Sequence, residues 1–206
     1  MSQFFQIHPD NPQLRLIHRS VDMLRDGAVI VYPTDSSYAL GCLIGNKIAM
    51  DRIRAIRQVN NEHNFTLVCR DLSEIASYAK VDNVAYRMVR KLVPGPYTFI
   101  FKATSEVPRR LQHPKRKTIG IRIPENPIAH ALLDELSEPI MSSTLIMPGE
   151  DIPMTDPYEM REKLQHHVDL VIDGESCGFE PTTVIDFLEG VPRIVRQGRG
   201  DVSMID

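Results

Sequence analysis

The chain has 206 residues, a formal net charge of −3, and ordinary shares of apolar (42%) and charged (25%) residues. That length fits one domain able to bury a real core, and the charge argues against a generally basic nucleic-acid binder while leaving room for a local basic patch. Cys42, Cys69 and Cys177 are few, odd in number and without a CxxC spacing, so they read as reduced, buried thiols rather than zinc ligands.

In chain order, residues 1–6 lack the charged flank and apolar core of a leader, and no apolar run reaches the roughly 20 residues of a membrane span. Cytoplasmic is the expectation. Leu14, Ile17, Val21 and Leu24 recur at helical spacing, and Asp26-Gly27 closes that helix. The apolar run 28–31 predicts a buried strand, which Pro33 ends. A second strand covers 38–44, and Ile48, Arg52, Ile53, Ile56 and Arg57 predict a helix. After a polar run at 60–64 come a strand at 65–69, a helix start at Asp71 and a helix over 84–92.

Pro94-Gly95-Pro96 breaks the chain before a strand at 97–101. A basic loop holding Arg109, Arg110, Lys115, Arg116 and Lys117 leads to a strand at 118–123. Pro127 opens a helix at 128–136. A strand at 139–141 runs into Ser142-Ser143-Thr144, and the proline-rich stretch 146–157 reads as loop. A helix with Met160, Leu164 and His167 follows, then short strands at 170–172, 183–185 and 193–195. Several strands succeed one another without a helix, which predicts a single α/β domain with a mixed sheet.

Several common catalytic motifs are absent: there is no P-loop, no GxGxxG after a strand and no HExxH. What remains is distributed. Hydroxyl-rich strand ends occur at Thr34 to Ser37, at Thr118 with Arg122, at Ser142 to Thr144, and at Thr182-Thr183, with arginines at Arg52, Arg54, Arg57, Arg122 and Arg196. On one side of a sheet they would form a cleft for carboxylate or phosphate oxygens; capped turns and solvated arginines are the plain alternative. Residues 32–41 have the same two readings, a ligand-binding strand end or a polar hairpin turn. Asp35 reads as a general base, a magnesium ligand or a turn residue bonding its own backbone. His63, His113, His130, His166 and His167 show no metal-ligand spacing, so no metal site is expected.

The segments YPTDSSYALG (32–41), PGPYT (94–98), TIGIRIP (118–124), PIMSST (139–144), TTVID (182–186) and IVRQG (194–198) resemble, in order, those of the YrdC/YciO family. The resemblance implies a domain over 14–200 preceded by an extension over 1–13. It also implies a twisted mixed sheet of about seven strands flanked by helices, with a positively charged concave surface. The activity implied is L-threonylcarbamoyladenylate synthesis: threonine, bicarbonate and ATP, the last with Mg2+, give threonylcarbamoyl-AMP and pyrophosphate for modification of tRNA adenosine 37. Some members are associated with double-stranded RNA, so the basic loop at Arg109, Arg110, Lys115, Arg116 and Lys117 is a candidate RNA contact, and a binding protein without the reaction is the alternative reading. No tightly bound cofactor is implied.

By position, the resemblance assigns Ser36, Arg122 and Thr182 to threonine, Thr118, Ser143 and Arg196 to the nucleotide, and Arg57 with Ser143 to catalysis. The family's Lys-x-Arg and Ser-x-Asn sets align with Arg57-Gln58-Val59 and Ser143-Thr144-Leu145, so only Ser143 is intact. Two lost charge-assisted contacts, each worth roughly 1.5–3 kcal/mol, would cost about a hundred- to ten-thousand-fold in rate. Binding with weak or altered chemistry is the expectation.

Overall fold

The computed structural model describes residues 1–60, 63–175, 177–203 and 205. In chain order the elements are β1 (Gln3–Gln6), α1 (Leu14–Arg25), β2 (Ile30–Tyr32), β3 (Ala39–Leu43), α2 (Lys47–Arg57) and β4 (Thr66–Val68). Next come α3 (Leu72–Tyr78), β5 (Ala79–Lys80), α4 (Asn83–Leu92), β6 (Tyr97–Ala103) and β7 (Thr118–Arg122). The chain closes with α5 (Pro127–Leu136), β8 (Ile140–Thr144), α6 (Pro157–Leu164), β9 (Leu170–Asp173), β10 (Thr183–Asp186) and β11 (Arg193–Arg196).

Helix starts follow cap chemistry. Asn46, Asp71, Asp82, Asn126 and Asp156 each accept from backbone N–H groups of the first turn of α2, α3, α4, α5 and α6, and Pro127 and Pro157 occupy the first helical positions. Gly27 closes α1 at φ +93°, a conformation open to glycine. Of the polar run at 60–64, Asn61 and Glu62 lie outside the described residues.

The strands form one mixed sheet in the order β1-β9-β2-β3-β8-β4-β7-β6-β10-β11, with β5 paired to β6. Its 11 strands among the described residues correct the expectation of about seven. Every run read as a strand is one; the sequence reading missed β1, whose two phenylalanines sit between glutamines, and β5, which is only two residues long. β1 pairs parallel with β9, so residues 3–6 belong to the sheet.

The period-2 alternation of the strands separates two cores. Val29 and Val31 enter one cluster with residues of α2, α3, α4 and α6, whereas Ile30 and Tyr32 enter a second with α1 and α5. On β6 and β7, Phe99, Phe101, Ile119 and Ile121 take the first side. The opposite side of those strands carries Thr98, Thr118, Gly120 and Arg122, and it becomes the wall of a cavity. No helix among the described residues is long and apolar enough to cross a membrane.

Candidate functional site

The β2–β3 connection is a hairpin turn, since its flanking strands pair antiparallel, and it is buried. The Thr34 hydroxyl organises it, donating to the Ser37 carbonyl at 2.6 Å and accepting from the N–H groups of Ser36 and Ser37 at 3.3 Å. Ala39 is the one residue of 32–41 in the lining of the cavity described below, and the structure makes this stretch a hairpin turn that bonds its own backbone and holds out Asp35. That carboxylate forms an ion pair with Arg122 at the end of β7 and accepts from the Glu125 N–H at 3.1 Å. Both side chains of the pair are only 9% exposed. Arg199 donates to the Asp35 carbonyl at 2.5 Å, tying the β11 end to the turn.

Arg122, Thr118, Ser143, Thr182, Arg196 and Arg57 come together around a cavity of about 360 Å3. Thr118 and Arg122 share one face of β7 at even spacing, and the β8 register sets Ser143 opposite Leu40. The Thr182 hydroxyl shares a 2.7 Å hydrogen bond with Thr98, and Arg196 donates through Nε and Nη2 to the Thr182 carbonyl at 3.3 and 3.0 Å. Gly120 keeps the floor open: a Cβ there would lie 3.1 Å from the Thr66 hydroxyl. Ser36 is buried and does not line this cavity; its hydroxyl lies 3.3 Å from that of Thr34.

Arg57, at the C-terminal end of α2, donates to the Thr144 carbonyl, and burial lowers its pKa. The Nε atoms of Arg57 and Arg122 are buried without a hydrogen-bond partner among the described residues. Arg54 does not swing into the cavity. It stacks over Phe65 at 5.1 Å and bonds Asp51 and the Arg110 carbonyl.

Two departures from the family pattern have structural meaning. Leu145 is fully buried in the larger core cluster, and Val59 does not line the cavity. In the sequence His63 has no role beyond its lack of metal-ligand spacing, and the structure places it in the site. It lines the cavity with Nε2 3.1 Å from the Ser143 hydroxyl. Burial, then Arg57 and Arg54, holds its pKa down at about 4. The missing signal was spatial, because 80 residues separate it from Ser143.

The basic loop divides. Arg109, Lys115 and Lys117 are exposed and form no ion pair among the described residues. Arg110 and Arg116 are exposed too but engaged: Arg110 donates to the Gly45 carbonyl, and Arg116 lines the cavity and pairs with Asp186 at 3.8 Å. A larger cleft of about 570 Å3 lies between α2 and α6. Arg52, one of the arginines expected at the anion cleft, lies here instead, and it and Lys163 are already paired with Asp169 and Glu159; no residue assigned by the family resemblance lines this cleft, so the smaller cavity is the candidate site.

Fold and site together define an α/β protein with an arginine- and hydroxyl-lined cavity beside a buried turn. The Sua5/YciO/YrdC family model, described as telomere recombination, matches residues 22–198, and the chain belongs to that family. It is 58% identical to the Escherichia coli protein YciO over 203 residues, 98% of each chain. The crystal structure of that protein superposes with a TM-score of 0.96 at 57% identity over 100% of both chains. A threonylcarbamoyl-AMP synthase of Coxiella burnetii is 30% identical over 178 residues, 84% of this chain and 94% of that one. The fold also matches P. abyssi Sua5 complexed with L-threonine, with a TM-score of 0.87 at 22% identity, over 96% of this chain and 58% of that one.

Proposed function

We propose that the cavity binds ATP and L-threonine and carries out a threonylcarbamoyl-AMP synthase-like nucleotidyl transfer, slowly relative to enzymes with the full family set. One observation carries this reading. Arg57, Arg116, Arg122 and Arg196 line the cavity with hydroxyl side chains, and no carboxylate lines it among the described residues. Guanidinium groups bind phosphate and carboxylate oxygens in two-pronged fashion.

In this reading Thr118, Ser143 and Arg196 hold the nucleotide, and Arg57 faces the phosphates as a fixed charge. Arg122 and Thr182 hold threonine, with Ser36 shaping the turn behind Asp35. Arg122 lines the cavity and offers its guanidinium to the amino-acid carboxylate. A carbamate on the threonine nitrogen attacks the ATP α-phosphorus, and pyrophosphate leaves. Mg2+ enters as the counter-ion of ATP: no cluster of three or more His, Cys, Asp or Glu able to hold a metal occurs among the described residues, and Asp35 is engaged by Arg122. ATP and threonine chemistry in the service of tRNA modification suits a cytoplasmic protein.

The test incubates purified protein with threonine, bicarbonate and labelled ATP. Threonylcarbamoyl-AMP should form above an Arg122→Ala, Ser143→Ala control; its absence sinks the synthase reading. A second reading, RNA binding, is favoured by the exposed Arg109, Lys115 and Lys117, which form no ion pair among the described residues, beside cavity-lining Arg116. It predicts affinity for double-stranded RNA or tRNA that falls steeply with salt. Reversing the charge at Arg109, Lys115 and Lys117 should abolish it, and unchanged affinity rules it out.

A further inference from the structure

The cavity wall, as described, contains one side chain whose ordinary titration lies near neutrality. Its cations are guanidinium groups, which stay charged, and its other polar side chains are hydroxyls and the Asn64 amide. His63 is the exception. Its Nε2 sits 3.1 Å from Ser143 Oγ, and its ring packs edge-on against Phe65 at a centroid distance of 5.2 Å.

We propose that His63 is the proton acceptor of this cavity, drawing a proton from bound substrate through the Ser143 hydroxyl. The inference rests on the nucleotide and amino-acid reading above and supplies a group which that reading lacks. Carbamate formation liberates a proton. The ammonium and bicarbonate give R–NH–COO−, water and H+: an N–C bond forms, a C–O bond of bicarbonate breaks, and its oxygen leaves as water. The surplus proton needs a base. Arg57 and the other guanidinium groups cannot take it, being protonated already. Ser143 Oγ can accept it while passing its own hydrogen to Nε2, which leaves an imidazolium and an intact serine.

The surroundings of His63 make this base conditional. Arg57 and Arg54 approach from α2, Ser143 from β8, and Phe65 from the start of the next strand. Burial and the two guanidinium charges keep the ring neutral but weakly basic, at about 4. Phosphate oxygens brought up to Arg57 offset that positive charge and raise the basicity of the ring. Nucleotide therefore arms the base before carbamate forms, so amine deprotonation is confined to the loaded site.

The test uses His63→Gln, which retains a hydrogen-bonding amide near Ser143 but cannot carry the proton, and Ser143→Ala, which cuts the relay. Calorimetry with Mg-ATP comes first: wild type and His63→Gln should bind within about twofold of each other. Histidine NMR titration, with His63 assigned by its loss in the variant, should show its pKa rising by at least about one unit when Mg-ATP is bound. Threonine- and bicarbonate-dependent pyrophosphate release should fall at least about a hundredfold in His63→Gln and lose its acid limb. Ser143→Ala should lose turnover while keeping the pKa rise. A His63 pKa unmoved by ATP overturns the proposal, as does His63→Gln turnover within about threefold of wild type. So does a wild type that binds ATP and releases no pyrophosphate. Failure of wild type to bind ATP overturns the underlying nucleotide reading instead, and this proposal with it.

Discussion

The ion pair of Asp35 and Arg122 should be a point of high leverage on stability. Asp35→Ala removes the carboxylate from a guanidinium whose side chain is only 9% exposed, and it also frees the Glu125 N–H, now bonded at 3.1 Å. Breaking a buried pair from one side costs about 3–5 kcal/mol, because the remaining charge stays desolvated. For a chain of this size each kcal/mol moves the melting temperature by about 2–4 °C, which puts the drop at about 6–20 °C. Asp35→Asn keeps one acceptor oxygen and should lose less. The paired replacement Asp35→Leu, Arg122→Met should recover much of the loss, since an apolar pair carries no stranded charge. Urea denaturation of the four proteins measures these differences directly. A cost below about 1 kcal/mol for Asp35→Ala, the worth of an exposed pair, would show that water reaches Arg122 and that the buried-pair reasoning is wrong.

Other consequences are simpler to check. His63 is held at about 4 rather than at 6.5, so the unfolded chain binds more protons across that window. Stability should fall as pH drops from 6.5 toward about 4, and His63→Gln should flatten that part of a urea-midpoint profile. Burial raises Cys42 and Cys177 to about 12 and Cys69 well above its usual range. All three should resist Ellman's reagent in the folded protein at mild pH and react promptly in urea; a fast native reaction contradicts this. At Gly198 an added Cβ would meet the Pro181 carbonyl and lie 2.7 Å from the Thr182 carbonyl carbon. Gly198→Ala should therefore cost about 1–3 kcal/mol in denaturant and weaken ATP and threonine binding together, by displacing Thr182 and Arg196.

Local sequence signals carried most of the fold. Helix caps such as Asp71 and Asp82 are side-chain–backbone bonds a few residues apart, and the alternation around Val29 to Tyr32 sorts side chains by itself. Features that depend on distant partners stayed hidden. β1 becomes a strand because β9 offers it a parallel edge, not because of its own composition. The site divides in the same way. Hydroxyls and arginines at strand ends pointed to an anion cavity, and one cavity gathers most of them. The Asp35–Arg122 pair spans 87 residues and the His63–Ser143 contact 80, separations at which composition and spacing say nothing.

Restoring the family asparagine tests whether the chemistry can be recovered one residue at a time. The Leu145 side chain is fully buried in the apolar cluster. Its backbone N–H bonds the Tyr38 carbonyl at 3.0 Å, and its carbonyl takes the Met154 N–H at 3.0 Å, so this backbone is held from both sides. Leu145→Asn would lose apolar burial worth about 2 kcal/mol and strand an amide whose desolvation costs about 1–3 kcal/mol. A destabilisation of about 3–5 kcal/mol with no gain in pyrophosphate release is the expected result. Stability close to wild type with faster release would show instead that this side chain turns readily into the cavity. The first result would mean that the position has become part of the core. On the proposed nucleotide reading, the phosphates would then be met by what remains there: Arg57 anchored to the Thr144 carbonyl, Ser143, and the imidazole beside it.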